Sequence, residues 1–266
     1  MGGLWIHKIE RCGGPESAVS KALGMGADRL IVKARDGRGR YNSEHICELA
    51  ERTHAAGISL WLWSWHYSTD TTGAVDYCKE QGQLIAGDSN DLKADGVILN
   101  VEAPFSWSKM HRWGQLHESM YGNKASRKAA MRERARELIL GVRSVLDEPT
   151  TLAVSSFPLP SQHALPFDIL ARGADLVCPQ IYFSGMGYKP KVRKSVEQWT
   201  KLGAERLRFS GPGWRGPTKM RSMGSSVRLH QCPRSPIDWW VLDKMDDADL
   251  EAARIFGEVG ARCSIA

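Results

Sequence analysis

The sequence predicts a single (β/α)8 TIM barrel over residues 1–266, and three observations lead to this prediction. The chain has 266 residues, a length that fits one barrel of this class. Eight apolar runs of strand length follow one another, and each is rich in β-branched or aromatic residues. Helical patterns separate the runs, as in the repeated β–α units that close into a barrel. A doubly wound parallel sheet is the alternative that the same alternation allows.

The eight predicted strands are short and distributed along the whole chain. They lie at 3–10, 29–36, 58–66, 96–103, 151–157, 174–183, 206–213 and 237–245. No linker, internal repeat or low-complexity tract interrupts the series, which favours one domain.

Most of the intervening segments have clear helical patterns. They lie at 15–25, 43–56, 124–146, 162–172, 192–202 and 247–258. Proline in the first turn of the first helix and glycines just after several others are typical of helix boundaries. A further helix is expected over 72–86, after the third strand. The segment after the seventh strand, 217–230, is a poor helix former.

Composition and charge narrow the class of protein. Hydrophobic residues make up 42% and charged residues 25%, which is typical of a globular protein. No apolar run reaches the ~18 residues that span a bilayer, and the N-terminus has no signal-peptide pattern, so we expect synthesis in a cytoplasm. The six cysteines lack CxxC or zinc spacing and are expected to be reduced thiols. The net charge of +6 favours anionic partners, and the ten tryptophans favour platforms for sugar rings.

The fourth predicted strand, within DGVILNVEA at 95–103, ends in polar side chains at positions that should line the barrel mouth. Because side chains alternate faces along a strand, its odd-numbered apolar residues share one face, and Asn100 and Glu102 share the other. The apolar face should pack against the helices, so Asn100 and Glu102 should face the barrel axis. Active sites of such barrels lie at the C-terminal ends of the strands, where these two residues are predicted.

Other predicted strands also end in polar or aromatic side chains. Candidate catalytic or substrate-binding residues at these strand ends are Glu10, Lys33, Arg35, Asp36, Trp65, His66, Gln180, Tyr182, Trp214 and Asp243. Lys33 and Arg35 are predicted to share one face of the second strand. In the third strand, the sequence leaves open whether the tryptophan face or the face of Ser64 and His66 points inward.

The loop after the fourth strand, 104–123, is long for a βα connection and carries several aromatic residues, among them Trp107. Long loops at this end of a barrel tend to be functional. An aromatic loop beside a rim carboxylate suits a polysaccharide groove. A loop that is anchored by its own aromatic side chains is the alternative.

Three of these segments resemble barrel glycoside hydrolases. DGVILNVE resembles the fourth-strand DGxxxDxE motif of family 18 chitinases and the DxE of family 25 lysozymes. ADLVCPQIYF resembles the sixth strand of the chitinases, whose tyrosine assists the reacting sugar, and LIVKARDG resembles the second strand of the lysozymes. The resemblance extends over most of the chain as an order of strands, and it implies a glycosidase.

The sequence departs from these families at one informative position. Asn100 stands where they carry aspartate, and the NxE pair is similar to that of family 85 endo-β-N-acetylglucosaminidases. In that family the substrate's own acetamido oxygen attacks the anomeric carbon. The resemblance implies that Glu102 is the general acid that protonates the leaving oxygen, that Asn100 holds the acetamido group and that Tyr182 assists it. A two-carboxylate scheme would instead take its second acid from Asp243, Glu10 or Asp36.

The expected function is hydrolysis of an amino-sugar polymer, in the first place bacterial peptidoglycan, by a lysozyme- or endolysin-like enzyme. No cofactor and no metal are expected, nor a nucleic-acid or membrane partner, and we expect a monomer. The protein would act on the cell wall after phage-type release, or inside the cell that makes it.

Several alternatives stay open. Glu102 can be a structural carboxylate that is paired with Lys33 or Arg35 inside the barrel. The protein can also be a non-catalytic carbohydrate-binding barrel, in which Asn100 marks the loss of catalysis, or a structural or virion component. The segment 211–216 fits a GxGxxG pattern, but a single predicted strand follows it, too few for a dinucleotide-binding unit. A phosphate pocket after the seventh strand, with Arg215 and Lys219, would make the protein an enzyme of phosphorylated metabolites.

Overall fold

The computed structural model describes residues 2–36, 39–66, 94–102, 124–146, 149–182, 188–213, 216–231 and 236–262. Eight parallel strands in this part of the chain form a barrel, so the predicted (β/α)8 fold is confirmed. A ninth, very short strand, β3, pairs antiparallel with β2. The strands are β1 (Gly3–Ile6), β2 (Arg29–Asp36), β3 (Gly39–Arg40), β4 (Ser59–Trp65), β5 (Gly96–Asn100), β6 (Thr151–Ser156), β7 (Leu176–Pro179), β8 (Ser210–Pro212) and β9 (Asp238–Trp240).

The barrel strands follow one another around the ring in chain order, from β1 through β9. The ring closes between β7 and β8, where Val177 bridges to Leu207 and Gln180 to Ser210. The N–H of Ile181 donates to the carbonyl of Ser210 at 2.8 Å. Closure brings the C-terminal ends of all eight parallel strands to one rim.

Helices flank the strands on the outside. Those in the described part of the chain are α1 (Gly14–Met25), α2 (Ser43–Ala55), α3 (Lys124–Arg143), α4 (Phe167–Gly173), α5 (Tyr188–Lys201), α6 (Pro217–Gln231) and α7 (Asp247–Arg262). Each clear helical pattern of the sequence is present, with ends displaced by a few residues at α3, α4, α5 and α7. The helix predicted over 72–86 lies outside the described residues. No described helix is both long and apolar enough to cross a membrane.

Helix α6 forms although the composition of its segment disfavours a helix. Its buried residues Met220, Met223 and Val227 recur at helical spacing and pack into the core between helices and strands. Pro217 occupies the first position, where its missing N–H costs no helical hydrogen bond. Tertiary packing therefore overrides a weak local propensity.

Buried side chains form two hydrophobic clusters, one inside the barrel and one between the strands and the helices. Ile98 belongs to the inner cluster, whereas Val97 and Leu99 belong to the outer one. This alternation along β5 is the predicted one. It places Asn100 and Glu102, which follow Ile98 at two-residue spacing, on the inner face.

The third barrel strand, β4, turns its tryptophans inward. Trp61 and Trp63 belong to the inner cluster, and Trp65 packs against it at the rim. The ring of Trp63 meets those of Trp5 and Trp240 edge to face, with centroids 5.7 and 5.3 Å apart. Edge-to-face packing is a favourable geometry for aromatic pairs, so several indoles fit into one barrel interior.

The opposite, N-terminal end of the barrel is held by a buried ion-pair network centred on Asp238. Both Arg29 and Arg208 donate to this carboxylate, and the N–H of Gly3 donates to it at 2.8 Å. Burial alone would raise the pKa of Asp238, but the two guanidinium groups outweigh it and hold the pKa below its usual value. A cavity of about 760 Å³ opens at this end, and three charged groups in its wall, Asp28, Arg29 and Arg208, belong to the same network.

The cysteines in the described part of the chain are thiols. Cys12 and Cys178 are buried and Cys47 is exposed, and none of the three is in a disulfide. Burial raises the pKa of both buried thiols to about 12, so they are protonated and unreactive at neutral pH.

Candidate active site

Glu102 lies at the end of the fourth barrel strand, and two amide side chains hold it. The amide of Gln180, which follows β7, donates to Glu102 Oε1, to Asn100 Oδ1 at 2.9 Å and to Ser155 Oγ at 3.1 Å. Asn100 is 5% exposed and also hydrogen-bonds to Glu102. Three consecutive barrel strands thus each contribute to one connected group, which we call the amide cluster: Asn100, Glu102, Ser155 and Gln180.

The surroundings of Glu102 favour its protonated form. Burial raises the pKa of this carboxyl, and hydrogen bonds from Gln180 and Asn100 oppose the rise without cancelling it. Glu102 forms no ion pair with any residue that the structure describes. Lys33, a possible partner by sequence, is paired with Asp36 at 2.7 Å. A carboxylic acid with a raised pKa is suited to donate a proton near neutral pH.

Tyr182 lies beside the amide cluster. Ile181, the residue between Tyr182 and Gln180, packs in the outer core, so Tyr182 is on the same side of the chain as Gln180. Burial raises the pKa of the Tyr182 phenol well above its usual value, and the negative charge of Glu102 raises it further. The phenol therefore stays protonated and can donate a hydrogen bond close to Glu102.

Lys33 lies on the inner face of β2 in a cage of aromatic rings. Its ammonium is 4.1 Å from the ring centroid of Tyr41 and 5.1 and 5.7 Å from those of Trp63 and Trp65. The side chain is 2% exposed, and its charge is balanced by Asp36 and by the ring faces. The cage therefore fixes Asp36 at the rim as the partner of a buried cation.

The prediction that Lys33 and Arg35 share one face is wrong. The register of β2 against β4 shifts between them, so that Lys33 pairs with Trp63 but Arg35 pairs with Ser64. This β-bulge adds one residue to β2 and reverses the alternation beyond it. Asp36 consequently joins Lys33 on the inner face, and Arg35 is buried on the outer one.

Asp243 lies in a short turn after β9, Leu242–Lys244, on the side of the rim next to β1. Both of its carboxylate oxygens are buried, and no described group hydrogen-bonds to them. Its charge reaches His7: burial and Lys33 lower the pKa of this histidine, and Asp243 opposes that shift. His7 Nε2 is 3.4 Å from Lys33 Nζ, so His7 connects Asp243 to the Lys33 cage.

Glu10 is exposed on a turn after β1 and is not part of the amide cluster. Its carboxylate lies within 4.8 Å of possible ligand atoms of Glu44 and His45. Oxygen and imidazole donors of this kind bind divalent cations, so this exposed trio is where the described residues could hold a metal ion.

His66 is buried behind the rim. It is 2% exposed and hydrogen-bonds to Ser64 at 2.7 Å, on the face of β4 opposite to the tryptophans. Burial lowers its pKa to about 3, so the imidazole is neutral at physiological pH. This position suits a structural hydrogen bond better than contact with a substrate in the barrel mouth.

Two of the predicted aromatic platforms, Trp107 and Trp214, lie outside the described residues, as do the loop 104–123 and Arg215. Their roles stay predictions. Trp65 is half-buried at the rim, beside both the Lys33 cage and the strand that carries Glu102.

Sequence reasoning missed Ser155, His7 and Tyr41. The signal for Ser155 was present, because it lies on β6 at the position paired with Asn100 and so shares its face. His7 directly follows β1 and has no comparable signal. Tyr41 reaches Lys33 through the short β2–β3 pairing, which only the tertiary structure reveals.

Comparison with models of known protein families finds no match, and comparison with curated protein sequences finds none either. Solved structures with the same barrel are numerous. The xylanase and α-amylase inhibitor XAIP-II from Scadoxus multiflorus is 12% identical with a TM-score of 0.56, over 98% of each chain. A β-mannanase from Thermomonospora fusca in complex with mannohexaose is 15% identical with a TM-score of 0.59, over 100% of this chain and 91% of the mannanase.

The β-glucuronidase of Bifidobacterium dentium, complexed with coumarin-3-O-glucuronide, is 12% identical with a TM-score of 0.62. That alignment covers 97% of this chain and 46% of the glucuronidase. At these identities the likeness shows the fold, a TIM barrel that several glycoside hydrolases share.

Proposed function

We propose that the protein is a glycoside hydrolase that cleaves an amino-sugar polymer, with Glu102 as its general acid. The observation that carries the proposal is the state of Glu102. This carboxyl lies at the barrel rim with a pKa raised by burial, and its described partners are amides and not a cation. Structural neighbours that are glycosidases by name, the mannanase and the glucuronidase, support the same class of reaction.

In the proposed reaction, protonated Glu102 gives its proton to the glycosidic oxygen while the bond from that oxygen to the anomeric carbon breaks. The carboxylate that results keeps the hydrogen bonds from Gln180 and Asn100, which favour the charged form. The protonated phenol of Tyr182 donates a hydrogen bond to the sugar next to the reacting carbon.

The surroundings of Glu102 favour a nucleophile that comes from the substrate. A retaining two-carboxylate enzyme needs its second carboxylate ~5–5.5 Å from the first. Among the acids considered for that role, Asp36 is held by Lys33 at 2.7 Å, and Glu10 lies on an exposed turn outside the amide cluster. Attack by the substrate's own acetamido oxygen forms the new bond to the anomeric carbon, needs no second carboxylate and requires an N-acetylated amino sugar at the cleaved bond. Water then adds to the anomeric carbon of the cyclic intermediate and gives a proton to the Glu102 carboxylate, which restores the acid.

Bacterial peptidoglycan is the polymer that we propose as substrate. It offers N-acetylated amino sugars in a wall that also contains anionic polymers, and the chain has a net charge of +6. The resemblance of DGVILNVE and LIVKARDG to lysozyme strands supports the same choice.

The test is product analysis by mass spectrometry after incubation with purified peptidoglycan and with chitooligosaccharides. The wild type should release glycan fragments, and Glu102→Gln should release none while it still binds the polymer. Glu133→Gln, at an exposed site on α3, is the matched control and should behave as the wild type. Release of fragments by Glu102→Gln at the wild-type rate would contradict the assignment.

A non-catalytic carbohydrate-binding barrel is the second candidate, and one observation favours it. XAIP-II, an inhibitor of carbohydrate-cleaving enzymes by its name, aligns over 98% of both chains. In that case the wild type releases no fragments, and glycan binding is the same for the wild type and Glu102→Gln.

A further inference from the structure

Two neighbouring helices, α5 and α6, carry a large share of the positive charge of this protein. Within the bounds of α5 and α6 the sequence has eight lysines and arginines and one glutamate, a formal charge of +7. Helix α3 is also basic, with seven lysines and arginines and two glutamates, but four of its arginines are in ion pairs. The two helices pack against each other on the outside of the barrel, and their charges therefore form one surface.

We call this surface the basic face, and six exposed side chains define it. They are Lys189, Arg193, Lys194 and Lys201 on α5 and Lys219 and Arg221 on α6. Arg193 lies 3.6 Å from Glu197. The other five have no ion-pair partner among the residues that the structure describes.

Helix stability does not explain this arrangement. The positive end of the helix dipole disfavours cations in a first turn. Acidic residues occupy the first turns of α1, α2, α4 and α7, whereas those of α3, α5 and α6 contain none. Lysines lie there instead, Lys189 on α5 and Lys219 on α6. Their positive charges add to the dipoles, so both helix starts attract anions.

The start of the basic face, with Lys189 and Lys219, lies at the same end of the barrel as the mouth. Helices α5 and α6 begin after β7 and β8, at the C-terminal ends of these strands, where Gln180 and the rest of the amide cluster are found. A polymer that lies along the first turns of both helices would therefore be held next to Glu102.

We infer that the basic face binds a linear phosphodiester polymer of the polyol-phosphate type, recognised by its repeated negative charge. Lysine provides four of the six exposed groups, and as a flexible point charge it suits an irregular phosphate chain. Trp199 of α5 is buried, so it offers no ring on which a nucleic-acid base could stack. The exposed large apolar side chains of the described residues, Leu23, Leu140 and Ile255, lie on other helices, which disfavours insertion into a membrane.

The inference is tested by binding of the full chain to a purified polyglycerol-phosphate polymer, measured across a range of salt concentrations. The test variant is Lys194→Glu with Lys219→Glu. The control is Lys128→Glu with Arg136→Glu, which makes the same charge change at exposed positions of α3. Thermal unfolding of each variant shows whether the fold is intact. Binding does not require hydrolysis, so the result is independent of the proposed role of Glu102.

The test variant should bind the polymer at least about 10-fold more weakly at low salt. Each lost phosphate contact lowers the slope of log K against log salt by ~0.7–0.9, so for two lost contacts this slope should be shallower by about 1.5. The control should change affinity by less than about 3-fold. Equal losses in both variants would overturn the inference, because net charge alone would then explain binding. Tighter binding to single-stranded DNA of equal charge, or to phosphatidylglycerol vesicles, would overturn the choice of polymer.

Discussion

Replacing Gln180 with methionine removes the donor that joins the amide cluster and preserves the size of the side chain. Three acceptors share its two N–H bonds and lose them: Asn100 Oδ1, Glu102 Oε1 and Ser155 Oγ. A hydrogen bond to a charged group contributes about 1.5–3 kcal/mol and a neutral one about 0.5–1.5 kcal/mol. Because one amide serves all three and such contributions are not additive, we expect the free energy of unfolding at pH 8 to fall by about 2–3 kcal/mol.

The stability lost in Gln180→Met should depend on pH, and the pKa of Glu102 gives the direction of this dependence. The folded-state pKa of Glu102 is raised above its unfolded value by burial, so its contribution to stability is present at low pH and is lost as pH rises through the folded pKa. Gln180 limits that rise because it donates to the charged form. In Gln180→Met the pKa of Glu102 rises further, and the difference in stability from the wild type should be larger at pH 8 than at pH 4.

Urea unfolding at both pH values measures the effect, and a ¹³C NMR titration of the glutamate carboxyls measures the pKa of Glu102 directly. Gln198→Met is the matched control, because Gln198 accepts one surface hydrogen bond, from the N–H of Ser161 at 2.9 Å. That variant should lose under about 1 kcal/mol at either pH. A Gln180→Met variant with the same loss at pH 4 and pH 8, and an unchanged Glu102 titration, would refute this account of the cluster.

Asp238→Asn should reduce the free energy of unfolding by about 3–5 kcal/mol, because it leaves two arginines buried without their shared carboxylate. In the wild type the pKa of Asp238 is lowered, so the free energy of unfolding should fall as acid protonates this carboxylate. Urea unfolding of both proteins at several pH values measures the two effects. Gly96→Ala should lower the free energy of unfolding by about 1–3 kcal/mol, since its Cβ would lie 2.5 Å from ring atoms of Trp61. A Cβ at Gly24 on α1 meets nothing within 4 Å, so Gly24→Ala should be neutral or stabilising in the same assay. The pKa of the buried His66 imidazole is lowered to about 3, so the wild type should lose stability as pH falls from 6.5 to about 3. His66→Gln should remove this pH dependence. An unchanged pH profile in the variant would show that His66 is not buried as a neutral group.

The barrel and its rim could be predicted because their signals are local. Alternating burial along β5 follows from the two-residue period of a strand, so the positions of Asn100 and Glu102 on the inner face were predictable from DGVILNVE alone. The same reasoning placed Gln180 and Tyr182 on one side of the chain. The C-terminal ends of the parallel strands of a barrel meet at one rim, so the sequence also predicts that Gln180 and Tyr182 lie near Asn100 and Glu102.

The failures have two physical causes. The two-residue period of a strand does not predict where a β-bulge interrupts it, and helix propensity does not predict tertiary packing. The bulge between Lys33 and Arg35 moved Asp36 to the inner face, and period-two reasoning could not place it. Helix α6 formed against its propensity because Met220 and Met223 found a core to fill.

The sequence by itself determined the architecture and the identity of the rim acid, because both follow from local alternation and from the order of strands. Only the tertiary structure decided the partners of that acid. Whether Glu102 meets Lys33 or an amide depends on contacts between strands that are 78 residues apart in sequence, and those contacts set its burial and its pKa. The environment of a titratable group is a sum over neighbours in space, and a linear pattern of residues does not contain it.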